Sequence, residues 1–310
     1  MRPAKAGPHD SMRPDDSMMI ETLGQYKILE PTGSGALGDI YRARDTRVGR
    51  TVAITMVTDQ IASNPARRER FLRDARAAAA VSHPNIVTLY EVGEEDGRLY
   101  LVYEFVQGQT LKTIIGGRPL NPRRAIDLAG QIAEALADAH AAGLVHGAIT
   151  AGTIVVTPKG HAKITDFGLA TFFKEAPAPA VVAGLAQDDS AVYRVDLFSL
   201  GVILFEMLTG NAPAPGAGVP SAVDRSLPRE IDPIVAKALG KSGGYESAAT
   251  LAAELRAIGA VLDLRKEAHD AATPVAMSRS KPKRSYAGWI VLALTLAAVA
   301  ATAWWYFRAV

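Results

Sequence analysis

No cysteine occurs among the 310 residues, which excludes a disulfide framework, a thiolate nucleophile, an iron–sulfur cluster and a zinc knuckle. Neither sign of charge is in excess: 34 Lys and Arg stand against 32 Asp and Glu. That balance gives no reason to expect a nucleic-acid partner, and the isoelectric point near 8.7 reflects only a small basic surplus. The N-terminus has no apolar run. Residues 1–25 are polar and read as a disordered extension, not a signal peptide, with Met12, Met18 and Met19 as alternative starts.

Against these absences, a mean hydropathy of +0.08 is high for a soluble chain. Its source is residues 286–307, a run of 22 residues without charge. As a helix the run is about 33 Å long, matching a hydrocarbon core of about 30 Å. Trp289 lies near one end and Trp304, Trp305 and Tyr306 near the other, as interfacial aromatics do. Arg279, Lys281, Lys283 and Arg284 precede it and only Arg308 follows, so the positive-inside rule puts the preceding chain in the cytoplasm. The sequence thus predicts a single-pass membrane protein with a transmembrane helix over 286–307 and a linker over 265–285. The alternative for that run is a buried core helix.

The body begins at Tyr26 and reaches Gly33-Ser-Gly35-Ala-Leu-Gly38-Asp-Ile40. A glycine pattern of this kind serves a dinucleotide fold only if it opens a helix. Here it runs into residues 39–45, a turn at Val48-Gly49-Arg50, and Thr51-Val-Ala-Ile-Thr-Met-Val57, so it bridges a β-hairpin. Asn64-Pro65 and Asn121-Pro122 each place a capping side chain before a proline in the first turn of a helix. The second helix carries Ile126, Ala129, Ile132, Leu136 and Ala139 on one face and stops at Gly143. The arginines of the first helix read as a solvated face. Further along stand Leu99-Tyr-Leu-Val-Tyr103-Glu104-Phe105, Val145-His146-Gly147-Ala148, Lys163-Ile-Thr-Asp166-Phe167-Gly168 and an apolar helix from Asp196 to Gly210.

In order and spacing these motifs resemble the bacterial serine/threonine protein kinases, over roughly residues 25–264. The resemblance implies an α+β, two-lobed protein kinase-like fold: a β-rich lobe over 26–105 and a helical lobe over 106–264. It also implies ATP and magnesium as ligands, and a bacterial plasma membrane for the anchor. The adenine-sandwiching positions stay apolar, with Ile40 and Ala53 above and Val155 below. Glu104 enters the hinge, Gly33, Gly35 and Gly38 keep the phosphate-covering loop, and Asp166 keeps one magnesium ligand. His146, Phe167 and Asp196 are read as structural.

The chemistry departs from the family. Phosphoryl transfer is mostly positioning and charge stabilisation, and the strand lysine that neutralises phosphates is replaced: the pattern reads Val52-Ala53-Ile54-Thr55. The glutamate that pairs with it corresponds to Asp74. In the catalytic loop, Gly147 replaces the arginine that holds a loop phosphate and Ala148 the proton-accepting aspartate. Thr150 replaces the lysine over the transferring phosphate, and Thr153 the metal-binding asparagine. General-base help alone contributes about 10²–10⁴ in rate. An ion pair has gone as a pair: residues 175–188 hold no Ala-Pro-Glu, and glycine stands at 244 where its arginine partner belongs. Losing one member of a buried pair costs about 3–5 kcal/mol, whereas losing both can be nearly neutral. Residues 211–228 are brief, so the substrate-docking helix is expected to be reduced.

Three readings follow. The leading one is a membrane-anchored pseudokinase, a regulatory or scaffolding module with no required cofactor and at most weak ATP and magnesium binding. Its partner would be a cytoplasmic protein, an active kinase or an envelope component. The second is an atypical active serine/threonine kinase with a displaced lysine, Lys163 being nearest in sequence but on a strand leading away. The third is a nucleotide sensor that binds ATP without hydrolysis. In the linker, Thr273, Ser278 and Ser280 read as plain linker residues or as phosphorylation sites.

Overall fold

Period-two burial shapes the first half of the chain. In β4 (Arg50–Val57), Val52 and Ile54 are fully buried on one face while Ala53 and Thr55 point the other way, into a cleft. The computed structural model describes residues 21–169, 172, 189–241, 243–272 and 287–309. β1 (Thr22–Leu23), β2 (Tyr26–Ser34), β3 (Gly38–Asp45), β4, β5 (Leu89–Glu95) and β6 (Arg98–Glu104) form an antiparallel sheet in the order β1-β2-β3-β4-β6-β5. Its register sets Ile40 opposite Thr55 and Ala53 opposite Tyr103, which gathers the expected base-binding positions into one patch.

After the four-residue α1 (Asp59–Ala62) comes α2 (Pro65–Ala79), which starts where Asn64 accepts a hydrogen bond from the Arg67 N–H at 3.0 Å and Pro65 supplies the first turn. Its buried face, Phe71, Ala75 and Ala78, joins Leu99, Leu101 and Tyr103 of the sheet in one apolar cluster. Leu169 and Phe172, from the segment after Asp166, enter the same cluster. The Phe71 and Phe172 rings meet edge to face, centroids 5.1 Å apart.

The helical half is built on α4 (Pro122–Ala141), which follows a short α3 (Leu111–Ile115) and is capped by Asn121 accepting from the Arg123 and Arg124 N–H groups. Ile126, Ala129, Ile132, Leu136 and Ala139 are each at most 1% exposed and pack with α5 (Asp189–Thr209). Gly201 of α5 allows a close helix approach, since a Cβ there would lie 2.7 Å from Ala238 Cβ in α7 (Asp232–Ala238). Between α5 and α7 stand the four-residue α6 (Pro220–Val223) and a 3₁₀ turn at Arg229–Ile231. A small sheet of β7 (Gln109–Thr110), β8 (Ile154–Val156) and β9 (Ala162–Ile164) forms the floor of the cleft.

The chain divides into two units, Met1–Leu264 and Arg265–Val310. α8 (Ala248–Ala272) continues past the expected domain end, so the stretch read as linker from 265 is helical through Ala272. Its charged residues after 264 are compatible with a solvated helix, a form that a Gly- and Pro-free run adopts readily. The second unit contains α9 (Ala287–Ala309). Among the described residues no helix is long and apolar enough to cross a membrane; the expected span over 286–307 falls partly outside them. Of the disordered extension expected over 1–25, residues 21–25 are instead ordered, because β1 pairs with β2 and Leu23 is buried in the sheet's core; residues 1–20 and the segment over 175–188 lie outside the described residues.

Phe71 is fully buried, so Phe71→Ala is expected to cost about 3–5 kcal/mol. Urea unfolding of the variant against the parent chain measures this.

Candidate functional site

The cleft between sheet and helical half has a volume of about 460 Å³. Ile40, Ala53, Thr55, Glu104, Val155 and Asp166 line it, joined by Val87, Tyr103, Phe105 and Val106. Gly33, Gly35 and Gly38 do not. The loop they form closes on itself: the Gly35 N–H donates to Gly38 O at 2.8 Å, and Ser34 Oγ donates to Asp39 Oδ1 at 2.6 Å. Gly38 has φ 153°, and a Cβ there would overlap Met56 O at 1.7 Å, so only glycine fits. The tip residue Leu37 is 1% exposed and belongs to the Phe71–Phe172 cluster. Its carbonyl accepts the Thr58 N–H at 2.9 Å.

Thr55 is 4% exposed and places a short hydroxyl where a phosphate-binding ammonium would act. At 4 Å and an effective dielectric of about 20, one such charge pair is worth about 4 kcal/mol. Asp74 faces its own helix, 3.5 Å from both Arg70 and Arg73. Lys163 is on strand β9, as expected, but its side chain reaches the hinge. Its Nζ donates to Glu104 Oε2 at 2.8 Å, and both side chains are mostly buried, so this cation is bound at the hinge.

The catalytic loop is held by backbone bonds to side chains that carry no chemistry. Asp196, fully buried, accepts the N–H groups of His146 at 2.9 Å and Gly147 at 2.8 Å, with His140 Nε2 at 2.9 Å as third partner. Gly147 has φ 80°, a left-handed conformation in which the family's arginine would be strained. The His146 ring reaches Thr165 O at 2.9 Å and packs edge to face on Phe167 at 5.2 Å. Ala148 is buried and offers only a methyl group. Thr150 and Thr153 bond each other. Thr153 Oγ1 accepts the Thr150 N–H at 3.0 Å and donates to Thr150 O at 3.1 Å, while Thr150 Oγ1 accepts from the Gly152 N–H. These two side chains cap a 3₁₀ turn at residues Ala151–Thr153.

Asp166 is in the left-handed region at φ 56°. Burial raises its carboxyl above the usual range, with the Thr165 hydroxyl, 3.0 Å away, opposing. The buried Tyr103 hydroxyl makes no hydrogen bond of normal geometry, and burial together with the Asp166 charge holds its pKa well up. Tyr103 and Leu37 were not picked out by sequence reasoning. Tyr103 directly precedes Glu104, so its position in the pattern could have flagged it; nothing in the glycine motif states which way its tip turns.

Comparison with known proteins fits this geometry. Residues 26–229 match the family model for the protein kinase domain. The chain belongs to the bacterial serine/threonine protein kinase family. It is 34% identical over 260 residues to the serine/threonine-protein kinase PrkC of Bacillus subtilis, covering 75% of this chain and 40% of that protein. To the serine/threonine-protein kinase PknB of Mycobacterium tuberculosis it is 33% identical over 264 residues, covering 74% of this chain and 42% of the other. The kinase-family chain thus spans about two fifths of the length of these relatives. The crystal structure of the Mycobacterium tuberculosis PknI kinase domain has the same fold, with a TM-score of 0.65 at 22% identity, over 76% of this chain and 96% of that one.

The family's usual ligands are ATP and magnesium. The apolar walls fit a purine base. The remainder does not fit: among the described residues lining the cleft there is no Lys or Arg, two carboxylates are present, and the second metal position is a threonine whose hydroxyl is engaged.

The partly buried Asp166 carboxylate, in a cleft whose described lining holds no Lys or Arg, makes a direct test. Its folded pKa lies above the unfolded value, so its contribution is fully present below the unfolded pKa and is lost as pH rises through the folded one. Asp166→Asn is expected to flatten that loss and to be at least as stable as the parent at neutral pH, measured by thermal unfolding across pH 4–8.

Proposed function

We propose that this kinase-family chain is a membrane-anchored binding module that does not transfer phosphate. The observation that carries the reading is chemical: among the described residues lining the cleft there is neither the family's proton-accepting aspartate nor a free cation to meet a reacting phosphate. Position 148 is alanine, position 55 is threonine, and Lys163 is paired to Glu104. Removing such groups together abolishes the charge stabilisation on which phosphoryl transfer depends. What remains is a folded surface, and its partner is proposed to be a cytoplasmic protein such as an active kinase or an envelope component. The four-residue α6 supports a role other than docking kinase substrates. The anchor rests on the sequence: 22 uncharged residues with tryptophans near both ends, and a basic cluster before them.

A second reading is favoured by the relatives, which bear the name serine/threonine-protein kinase. Under it the chain is an atypical ATP-dependent phosphotransferase. The two readings separate in one experiment on the full chain in lipid nanodiscs, given γ-labelled ATP with Mg²⁺ or Mn²⁺ and a basic protein acceptor. The binding-module reading predicts no incorporation above that of Asp166→Ala; incorporation that vanishes in Asp166→Ala establishes the second. In the same preparation, the chain is expected to resist an alkaline carbonate wash of membranes and to be released when residues 286–307 are deleted.

A further inference from the structure

We propose that the cleft takes an uncharged, planar heteroaromatic molecule of nucleoside size in place of a nucleoside triphosphate and its metal. This rests on the reading that the cleft does not transfer phosphate, and adds the class of ligand. The walls supply the first reason. Ile40 and Ala53 on one side, Val155 on the other and Val87 behind leave about 460 Å³, within the roughly 300–1,000 Å³ usual for small-molecule sites.

Charge supplies the second. Among the described lining residues the only ionisable groups besides Tyr103 are Glu104 and Asp166. Lys163 neutralises Glu104 at 2.8 Å and is thereby engaged away from any phosphate. A ligand carrying several negative charges would enter such a cleft with nothing to offset them, whereas a neutral ring system meets no penalty. The loop that covers phosphates in the family is turned elsewhere, its tip Leu37 being buried in the sheet-side core.

The third reason is a buried hydroxyl whose hydrogen bonding is incomplete. Tyr103 is 7% exposed and lines the cleft, and its hydroxyl, which interacts with the Asp166 carboxylate, makes no hydrogen bond of normal geometry. Buried hydroxyls are seldom left so. A ring nitrogen or carbonyl of a flat ligand held between Ala53 and Val155 can accept its proton.

The test uses the full chain in nanodiscs and calorimetric titration with adenosine alone and with ATP plus Mg²⁺. Adenosine is expected to bind, and ATP with Mg²⁺ to bind at least about tenfold more weakly. Tyr103→Phe is expected to weaken adenosine by about two- to tenfold, the worth of one net hydrogen bond, while raising the melting midpoint of the ligand-free protein. Val155→Trp fills the site and abolishes binding; Ala53→Leu, a milder filling, serves if that variant does not melt cooperatively. ATP with Mg²⁺ binding as tightly as adenosine overturns the proposal, as does the absence of adenosine binding or its persistence in both filled variants. Unchanged adenosine affinity in Tyr103→Phe overturns the role of Tyr103. Phosphate incorporation, assayed in parallel, contradicts the proposed function itself. Without incorporation, failed adenosine binding contradicts only this inference.

Discussion

The Asp196 carboxylate, fully buried, sets the geometry of the site. It accepts two successive backbone N–H groups, at residues 146 and 147, and a ring nitrogen from His140. Each bond satisfies a group that would otherwise be buried and unpaired, at about 1–3 kcal/mol apiece. Fixing the backbone at His146 fixes its ring, which reaches Thr165 O and packs on Phe167. The turn at Asp166 is thereby positioned from α5. None of these bonds involves a group that touches a phosphate. The scaffold of the site is thus held independently of the positions at which the family's charged groups are replaced.

The losses are mutually consistent. A lysine at position 55 would need a partner, and the residue that would supply one, Asp74, is paired instead with Arg70 and Arg73. No ion pair joins position 55 to α2; the helix meets the sheet through apolar contact and, at its exposed edge, the Arg68–Glu94 pair to β5. Phe71 of α2 meets Phe172, and Arg67 donates to Phe172 O at 3.4 Å. In the catalytic loop the same replacement occurs: Thr150 and Thr153 satisfy each other's backbone and need nothing from the cleft.

Much of the fold was legible because its signals are local. Asn64-Pro65 and Asn121-Pro122 start helices by capping chemistry that involves only three or four residues, and the alternation in β4 assigns its faces directly. The missing chemical groups were equally legible, since a motif position is filled or it is not. Pairings distant in sequence were not. Lys163 and Glu104 are 59 positions apart and meet across the hinge, a distance over which no local pattern operates. Leu37 occupies a loop where backbone freedom is greatest, and its direction is chosen by the space beside Val57 and Ile61. The helical continuation to Ala272 was hidden by composition, for charged residues suit a linker and a solvated helix alike.

The scaffold of the catalytic loop is intact, and the proposal is that its missing reacting groups alone withhold phosphate transfer. Replacing them together tests this most directly: Thr55→Lys, Ala148→Asp, Thr150→Lys and Thr153→Asn in one chain, assayed for phosphate transfer from ATP beside the parent. The account predicts incorporation by the restored chain and none by the parent. Equal incorporation by the parent would contradict it.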